Sequence, residues 1–343
     1  MSLRLRNPLK MLRSNAIALD MGSGEVRIAS PEGELLLNEP TVVALEHGGI
    51  SVLVAGTEAK SYLGKAPERI RVVRPVEAGA VVDFDAAREM LRTLLARVLP
   101  SGGSRLKVCA VVAQGFTDLE RRTFADCLKA AGIGHVDLVR APLAAAVGAG
   151  LDITQPKGRL LLGIGHGLAE ASVICLSDVV HAETIRSGAH AFHNAVAHHL
   201  AEHHKISIGE NMAEQATLRL ACVVEPDSPR QLTVTGKYAA TGSPCALELT
   251  HKDLAGALDG VLAELEALVR SVMEHAPAEL VADIGETGLL LYGGGAQLCG
   301  LDRHLADRLE LPVILVPNPQ SACLRGAAAA LRPDLGFRKL LIR

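Results

Sequence analysis

Aromatic side chains are nearly missing from this sequence: Trp is absent, and Phe and Tyr together make up only 2% of the residues. With hydrophobic residues at 49%, the core must be built from Leu, Val, Ile and Ala, the usual filling of α/β layers with buried parallel strands. An excess of basic charge is also missing. A formal net charge of −3 excludes a general nucleic-acid binder, because no domain-wide positive field is available to gather phosphates. Cysteine pairs at metal or redox spacing do not occur. The seven Cys residues (109, 127, 175, 222, 245, 299 and 323) never fall as CxxC, so they read as small buried hydrophobes in a reducing compartment. No apolar run reaches the roughly 20 residues that span a bilayer, and the opening "MSLRLRNPLKMLRSN" has no secretory h-region or cleavage site. These absences make a cytoplasmic protein the expectation. A length of 343 residues gives room for two domains or a single bilobed one.

What is present is a regular alternation of apolar runs and glycine turns. "AIALDMGSGEVRIAS" (16–30) predicts strand, glycine turn and strand, and "LLLNEPTVVALE" continues the β pattern. A looser region then runs to Pro75. "FDAAREMLRTLLARVL" (84–99) has helical periodicity and stops at Pro100, and "KVCAVVAQG" (107–115) is a buried strand. "TDLERRTFADCLKAAG" predicts a helix with Thr117 as N-cap, Glu120 closing a capping box and Gly132 just past its end. "VDLVR" leads into the Ala-rich helix "PLAAAVGAG", with Pro142 at its first position.

The second half repeats the plan. "RLLLGIGHGLAEASVICLSDVVHAETI" reads as strand, glycine turn and two further strands. Helices follow over about 190–204 and 209–221, then a polar β segment from 230 to 250. A long helix, "LAGALDGVLAELEALVRSVMEH", carries Leu258, Val261, Leu262, Leu265, Leu268, Val269 and Val272 on one face and is stopped by Pro277. "GLLLYGGGAQLCGL" is strand, glycine turn and helix. DMGSG and GIGHG thus head two similar halves, and a ligand between them would meet both loops and the GGGA turn. The spacing of GIGHG suits a loop whose backbone N–H groups fold round a phosphate. Yet Gly163, His166 and Leu168 stand where phosphate chemistry wants a carboxylate, a small residue and a hydroxyl.

The blocks "LLLNEPTVVAL", "EAKSYLGKAPERIRVVRPVEAGAVVDFD", "TDLERRTFADCLKAAG", "APLAAAVGAGL", "PAELVADI" and "LYGGGAQLCGLDRHL" together resemble the bacterial MreB family, actin homologues that organise cell-wall synthesis. The resemblance covers nearly the whole chain. It implies an α/β, actin-like fold of the actin, heat-shock-chaperone and sugar-kinase superfamily, with two ribonuclease-H-like lobes in four subdomains around a nucleotide cleft. The implied boundaries are a membrane-binding tail at 1–13, subdomain IA at 14–43, 77–156 and 323–343, IB at 44–76, IIA at 157–191 and 255–322, and IIB at 192–254. It also implies self-association, with subunits stacking into protofilaments.

The same resemblance identifies the nucleotide-binding positions and shows where they depart. The family's first phosphate loop reads D-L-G-T-A-N-T; here it is Asp20, Met21, Gly22, Ser23, Gly24, Glu25 and Val26, so Glu25 replaces the Asn. The second reads D-I-G-G-G-T-T-E; here Gly163 replaces the Asp that holds metal-bound water, Gly165, His166 and Gly167 form the turn, and Leu168 replaces the catalytic Thr. Where the family reads I-E-E-P-M-A-A-A, this chain has Val139 to Ala146, so the Glu that polarises the attacking water is Ala141. On the adenosine side Glu210 and Glu214 are kept, the basic residue expected near 217 is Thr217, and Gly293, Gly294, Gly295 and Ala296 match fully.

Each loss has a physical meaning. Phosphoryl transfer depends on positioning and charge neutralisation rather than on covalent help from the protein. Losing the group that orients water puts ~10²–10⁴ in rate at stake. A Glu25 carboxylate against phosphate would cost about 4 kcal/mol at contact distance with an effective dielectric near 20. The pattern predicts a pseudo-ATPase with no intact catalytic residue, holding ATP or ADP with weakened Mg²⁺ binding.

His190, His193, His198, His199, His203 and His204 crowd one helical region. A metal reading would use the i, i+4 pair His199 and His203 but places no third ligand. The segment reads instead as a solvated His-rich face, and no metal site is expected. At the N-terminus, Met1, Leu5, Leu9 and Leu12 fall at the spacing of one helical face with Arg6, Lys10 and Arg13 beside them, but Pro8 shortens the expected helix, with Asn7 and Pro8 as its N-cap and N1. A disordered tail is the alternative. Many Gram-negative MreB proteins bind membrane through such a segment, so the resemblance implies peripheral anchoring at the inner face of the cytoplasmic membrane. The C-terminal "FRKLLIR" leaves two readings, a supplement to that anchor or a segment packed on the domain beside it.

The leading reading is therefore an MreB-like cytoskeletal protein forming membrane-associated filaments that organise cell shape or envelope synthesis, with little or no ATP hydrolysis. A working ATPase filament using substitute residues, and a non-polymerising actin-fold adaptor for envelope or secretion proteins, are the alternatives. "PAELVADI" and "VVDFDAAREMLRTLL" resemble family segments near the longitudinal and lateral interfaces, which favours polymerisation. Cell-wall synthesis proteins are then the expected partners.

Overall fold

The computed structural model describes residues 15–99, 106–332 and 340–342, so the expected tail at 1–13 lies outside the described residues. The chain divides into two compact units: residues 1–155 with 176–179 and 321–343, and residues 156–175 with 180–320.

The first unit opens with a meander of β1 (Ala16–Met21), β2 (Glu25–Ala29) and β3 (Leu35–Pro40). Its glycine turn reverses the chain so that Asp20 faces Arg27 and Met21 faces Val26. β4 (Val43–Glu46), the end of the segment read as β, is joined by β5 (Val52–Ala55) and β6 (Ile70–Val73), which lie where the sequence reads only as a looser region, in a small antiparallel sheet beside the short helix α1 (Thr57–Lys60). The ribbon of β7 (Val76–Glu77) and β8 (Ala80–Val81) leads into α2 (Phe84–Val98), whose N-cap Asp83 accepts the Ala86 N–H at 3.0 Å. Then come β9 (Lys107–Val112), α3 (Asp118–Ala130), β10 (His135–Arg140) and α4 (Ala141–Gly148). The capping box of Thr117 and Glu120 is formed at the start of α3. Because α4 starts at Ala141, Pro142 takes its second position rather than its first; its missing N–H is still no loss in the first turn. Strands β1, β9 and β10 are parallel.

The second unit is built alike. A second meander, β11 (Arg159–Ile164), β12 (Ala169–Cys175) and β13 (Asp178–Ile185), is followed by α5 (Ala189–His203), β14 (Ile206–Ser207) and α6 (Glu210–Arg219). The polar β segment is the hairpin β15 (Gln231–Tyr238) and β16 (Pro244–Thr250), paired with β14. In α7 (Asp259–His275), Leu262, Leu265, Leu268, Val269 and Val272 are buried at helical spacing, while Val261 is half-buried. Pro277 ends that helix and also caps the next, so "PAELVADI" forms α8 (Ala278–Thr287). β17 (Leu289–Tyr292), α9 (Leu301–Leu309) and β18 (Val313–Leu315) complete the unit, with β11, β17 and β18 parallel.

The chain then returns to the first unit with α10 (Ala322–Leu331) and β19 (Leu341–Ile342). A β-carbon on Gly326 would lie 1.9 Å from the Ala144 carbonyl oxygen, and one on Gly148 would lie 1.9 Å from that of Ala322. Helices α4 and α10 therefore meet backbone to backbone, which is why both are written in Ala and Gly. Of the two readings of "FRKLLIR", its described part packs on the domain: Leu341 and Ile342 pair antiparallel with Val139 and Leu138.

Candidate functional site

Parallel strands put their carboxyl ends on one edge of a sheet, where the following loops gather. In the first unit, residues 22–25 follow β1 and Ala141 follows β10 on that edge. The Gly22 N–H donates to the Glu25 carbonyl at 3.0 Å and closes the turn. Thr41 braces it, donating its hydroxyl to the Gly22 carbonyl at 2.6 Å and its N–H to the Gly24 carbonyl at 3.0 Å. The buried Ser23 Oγ accepts the Gly79 N–H at 3.0 Å.

Glu25 is not a bare charge in this loop. Its carboxylate is paired with Arg27, and the same guanidinium lies 3.9 Å from Asp20. Two carboxylates sharing one cation leave the loop negative, with the repulsion towards a phosphate partly offset. Burial pushes the Asp20 carboxyl above the usual carboxylate range; the Arg27 charge opposes this and the Glu25 charge reinforces it. Ala141 is buried at the start of α4, and its methyl group has no means of orienting water. Its carbonyl accepts from the Cys323 thiol at 3.6 Å.

In the second unit the turn after β11 closes with the Gly165 N–H donating to the Leu168 carbonyl at 2.9 Å. Gly163 sits between Glu170 on β12 and Tyr292 on β17. A β-carbon at Gly163 would lie 2.3 Å from Tyr292 Cζ and 2.5 Å from its hydroxyl oxygen. That hydroxyl donates to Glu170 Oε1 at 2.7 Å, and both side chains are buried. The space that a carboxylate at 163 would need is filled by a fixed phenol ring. Tyr292 is the residue that reading the sequence passed over. The available signal was its placement directly before GGGA in a chain with only three tyrosines.

The GIGHG loop is held by α5. The N–H groups of Ala189 and His190 donate to the Gly165 and His166 carbonyls, each at 2.8 Å. A β-carbon on Gly188 would lie 2.6 Å from the Gly165 oxygen, so the approach needs glycine. The His166 ring lies 5.4 Å from that of His190 and 6.1 Å from that of His193, centroid to centroid. The GGGA turn is built against the end of the same strand. Gly293 has φ +92°, and a β-carbon there would meet the Ile164 carbonyl oxygen at 2.3 Å. Gly295 would clash with the Ile164 side chain, whereas Gly294 faces open space. The structure thus brings Gly163, residues 165–168 and residues 293–296 together within one unit.

On α6, Glu210, Glu214 and Thr217 fall at i, i+4 and i+7, on one face. Glu210 is exposed, Glu214 half-buried and Thr217 buried. The Thr217 hydroxyl donates to the Ala213 carbonyl at 2.8 Å within the helix, so position 217 supplies no positive charge. Of the six histidines at 190–204, only His198 and His203 are exposed. Phe192, His193, Val196 and Leu200 form the buried face of α5, and His199 Nε2 donates to the Asp253 carbonyl at 2.9 Å. The region is less solvated than its composition suggests, because α5 turns one helical face inward.

Glycine turns of this kind can cradle a phosphate with backbone amides. The carboxylate that would hold metal-bound water does not fit at position 163 while Tyr292 stands there.

A family model described as MreB/Mbl protein matches residues 14–334. The chain is 32% identical over 326 residues to the cell shape-determining protein MreB of Escherichia coli (strain K12), covering 93% of each. It is similar to the crystal structure of MreB5 of Spiroplasma citri bound to ADP, with a TM-score of 0.87 and 25% identity, over 92% of this chain and 95% of that one. The crystal structure of MreB5 bound to AMPPNP matches to the same degree. The MamK double helical filament, at 15% identity, has the same fold with a TM-score of 0.77, over 92% of this chain and 98% of that one.

Proposed function

The chain belongs to the MreB/Mbl family and has the actin-like fold, and from that premise we propose a filament-forming, cell-shape-determining protein that binds ATP or ADP with little or no hydrolysis. Residues 20–25 and 165–168 are its phosphate-facing turns, and residues 293–296 with the α6 face hold the adenosine. The observation that carries the low-turnover half of this reading is the Tyr292 ring beside Gly163. Without a carboxylate there, Mg²⁺ is held weakly. With Ala141 and Leu168 in the other catalytic places, neither side chain can orient or activate water.

Purified protein should release phosphate from ATP and Mg²⁺ no faster than a buffer control, with Escherichia coli MreB as the positive control. Steady Mg²⁺-dependent release at the control enzyme's rate would overturn the reading.

Assembly is expected not to require hydrolysis, because α2 and α8, the expected contact segments, lie outside the altered loops. Electron microscopy with and without ATP checks this. Monodisperse monomers at high concentration in all conditions would favour an adaptor instead. The sheet β4–β6 marks subdomain IB on this reading, and β14–β16 marks IIB. Residues 1–13 anchor the filament on the inner face of the cytoplasmic membrane, beside the envelope-synthesis proteins that it organises. They contain four basic side chains, each worth about 1 kcal/mol near an anionic surface. A chain beginning at Ser14 should therefore fail to co-sediment with anionic liposomes, and undiminished binding would move the anchor elsewhere.

A further inference from the structure

Away from the glycine loops, the last turn of α7 places His275 against a pair of residues on β13. His181 and Glu183 are two apart on that strand and so share one face of the sheet. His181 Nε2 lies 3.3 Å from Glu183 Oε1, and His275 Nδ1 lies 3.6 Å from the same oxygen. The two imidazoles stack with centroids 5.3 Å apart. Ser271, one turn earlier on α7, donates its hydroxyl to Glu183 Oε1 at 2.8 Å, and its carbonyl accepts from His275 Nδ1 at 2.8 Å. Among the described residues this is the only group of three His, Cys, Asp or Glu side chains whose ligand atoms all lie within 4.8 Å of one another.

We propose that His181, Glu183 and His275 form a binding site for a divalent transition-metal ion of the zinc class. Two imidazoles and a carboxylate are the ligand set of zinc sites that keep an open position. Mg²⁺ and Ca²⁺ prefer oxygen ligands, so this site is separate from any ion that accompanies a nucleotide. An ion equidistant from three atoms at this spacing lies about 2.8 Å or less from each. Closing to the usual 2.0–2.2 Å needs less than about one ångström of movement per side chain, and a His275 that ligates through Nδ1 gives up its proton and its hydrogen bond to the Ser271 carbonyl. Ser271 supplies the supporting hydrogen bond that keeps a ligating carboxylate aimed. Bound there, the ion would fasten the end of α7, from which Pro277 and α8 start, to the sheet.

The test uses the tag-free, metal-stripped full chain titrated with Zn²⁺ by calorimetry and with Co²⁺ by visible absorption. One saturable site per chain is expected, unaffected by millimolar Mg²⁺ or Ca²⁺. His275→Ala removes a largely exposed ligand without disturbing the core, and it should weaken binding at least tenfold, as should the conservative Glu183→Gln. Replacing both His199 and His203, a still closer histidine pair with centroids 4.3 Å apart, should leave the titration unchanged. Absence of saturable binding would overturn the proposal, as would binding that survives His181→Ala with His275→Ala.

Discussion

Gly163 and Tyr292 face each other across the parallel pair β11 and β17, and the glycine exists where the tyrosine ring needs its space. Replacing Gly163 by Asp alone should therefore destabilise the fold by at least about 1–3 kcal/mol, the usual cost of overpacking a core. Removing the ring should relieve part of that cost. The double variant Gly163→Asp with Tyr292→Ala is expected to be more stable than the sum of the single changes, by about 0.5–3 kcal/mol. Denaturant midpoints of the four proteins in the cycle measure the coupling. Additive effects would mean that ring and glycine are independent.

Tyr292 also satisfies the buried Glu170 carboxylate at 2.7 Å. Tyr292→Phe keeps the ring but removes one donor to the buried carboxylate, and losing a hydrogen bond to a charged group costs about 1.5–3 kcal/mol. The loss should show as a lower urea midpoint with an unchanged slope.

The three glycine turns, the Thr117–Glu120 capping box and the buried stripe of α7 were legible in the sequence because each is a local pattern, set by spacing within one element. The Gly163–Tyr292 relationship was not, because it joins residues 129 positions apart through strand register. Histidine misleads for the same reason. The crowded run at 190–204 drew attention to metal chemistry, while the compact triad joins His181 and Glu183 to the distant His275. Strands β5 and β6 escaped notice because they are four residues each, too short for their period to stand out.

Helices α4 and α10 allow a plain steric test. The contact at Gly326 is to backbone, 1.9 Å from the Ala144 oxygen for an added β-carbon, and no side-chain rotation can relieve it. Gly326→Ala should lower the thermal midpoint clearly, whereas the same change at the open Gly294 should leave stability nearly unchanged. Equal midpoints for the two variants would contradict the backbone-to-backbone packing.

Asp20 predicts a pH dependence opposite to that of a salt-bridged acid. Burial raises its carboxyl in the folded state, so the charged form costs stability at neutral pH. That cost is relieved as pH falls through the folded value, and it is gone below the unfolded value of about 3.9. Asp20→Asn should then stabilise the protein at pH 7, with the gain shrinking to nothing near pH 4. If Asp20→Asn destabilises at pH 7, attraction to Arg27 outweighs burial.

Recovery of ATP hydrolysis should require the tyrosine to leave. Ala141→Glu alone supplies a group to polarise water but no metal anchor, and it should leave phosphate release at the buffer level. Adding Gly163→Asp, Leu168→Thr and Glu25→Asn restores the family residues, yet the new carboxylate would be driven against the Tyr292 ring at 2.3–2.6 Å from its β-carbon. Tyr292→Ala in the same background opens that space at the expense of the Glu170 hydrogen bond. The expected order is therefore no turnover for Ala141→Glu, little for the fourfold variant, and the most for the fivefold variant. Mg²⁺-dependent phosphate release measures all three. A fourfold variant as active as the fivefold one would show that Tyr292 is no obstacle to the metal.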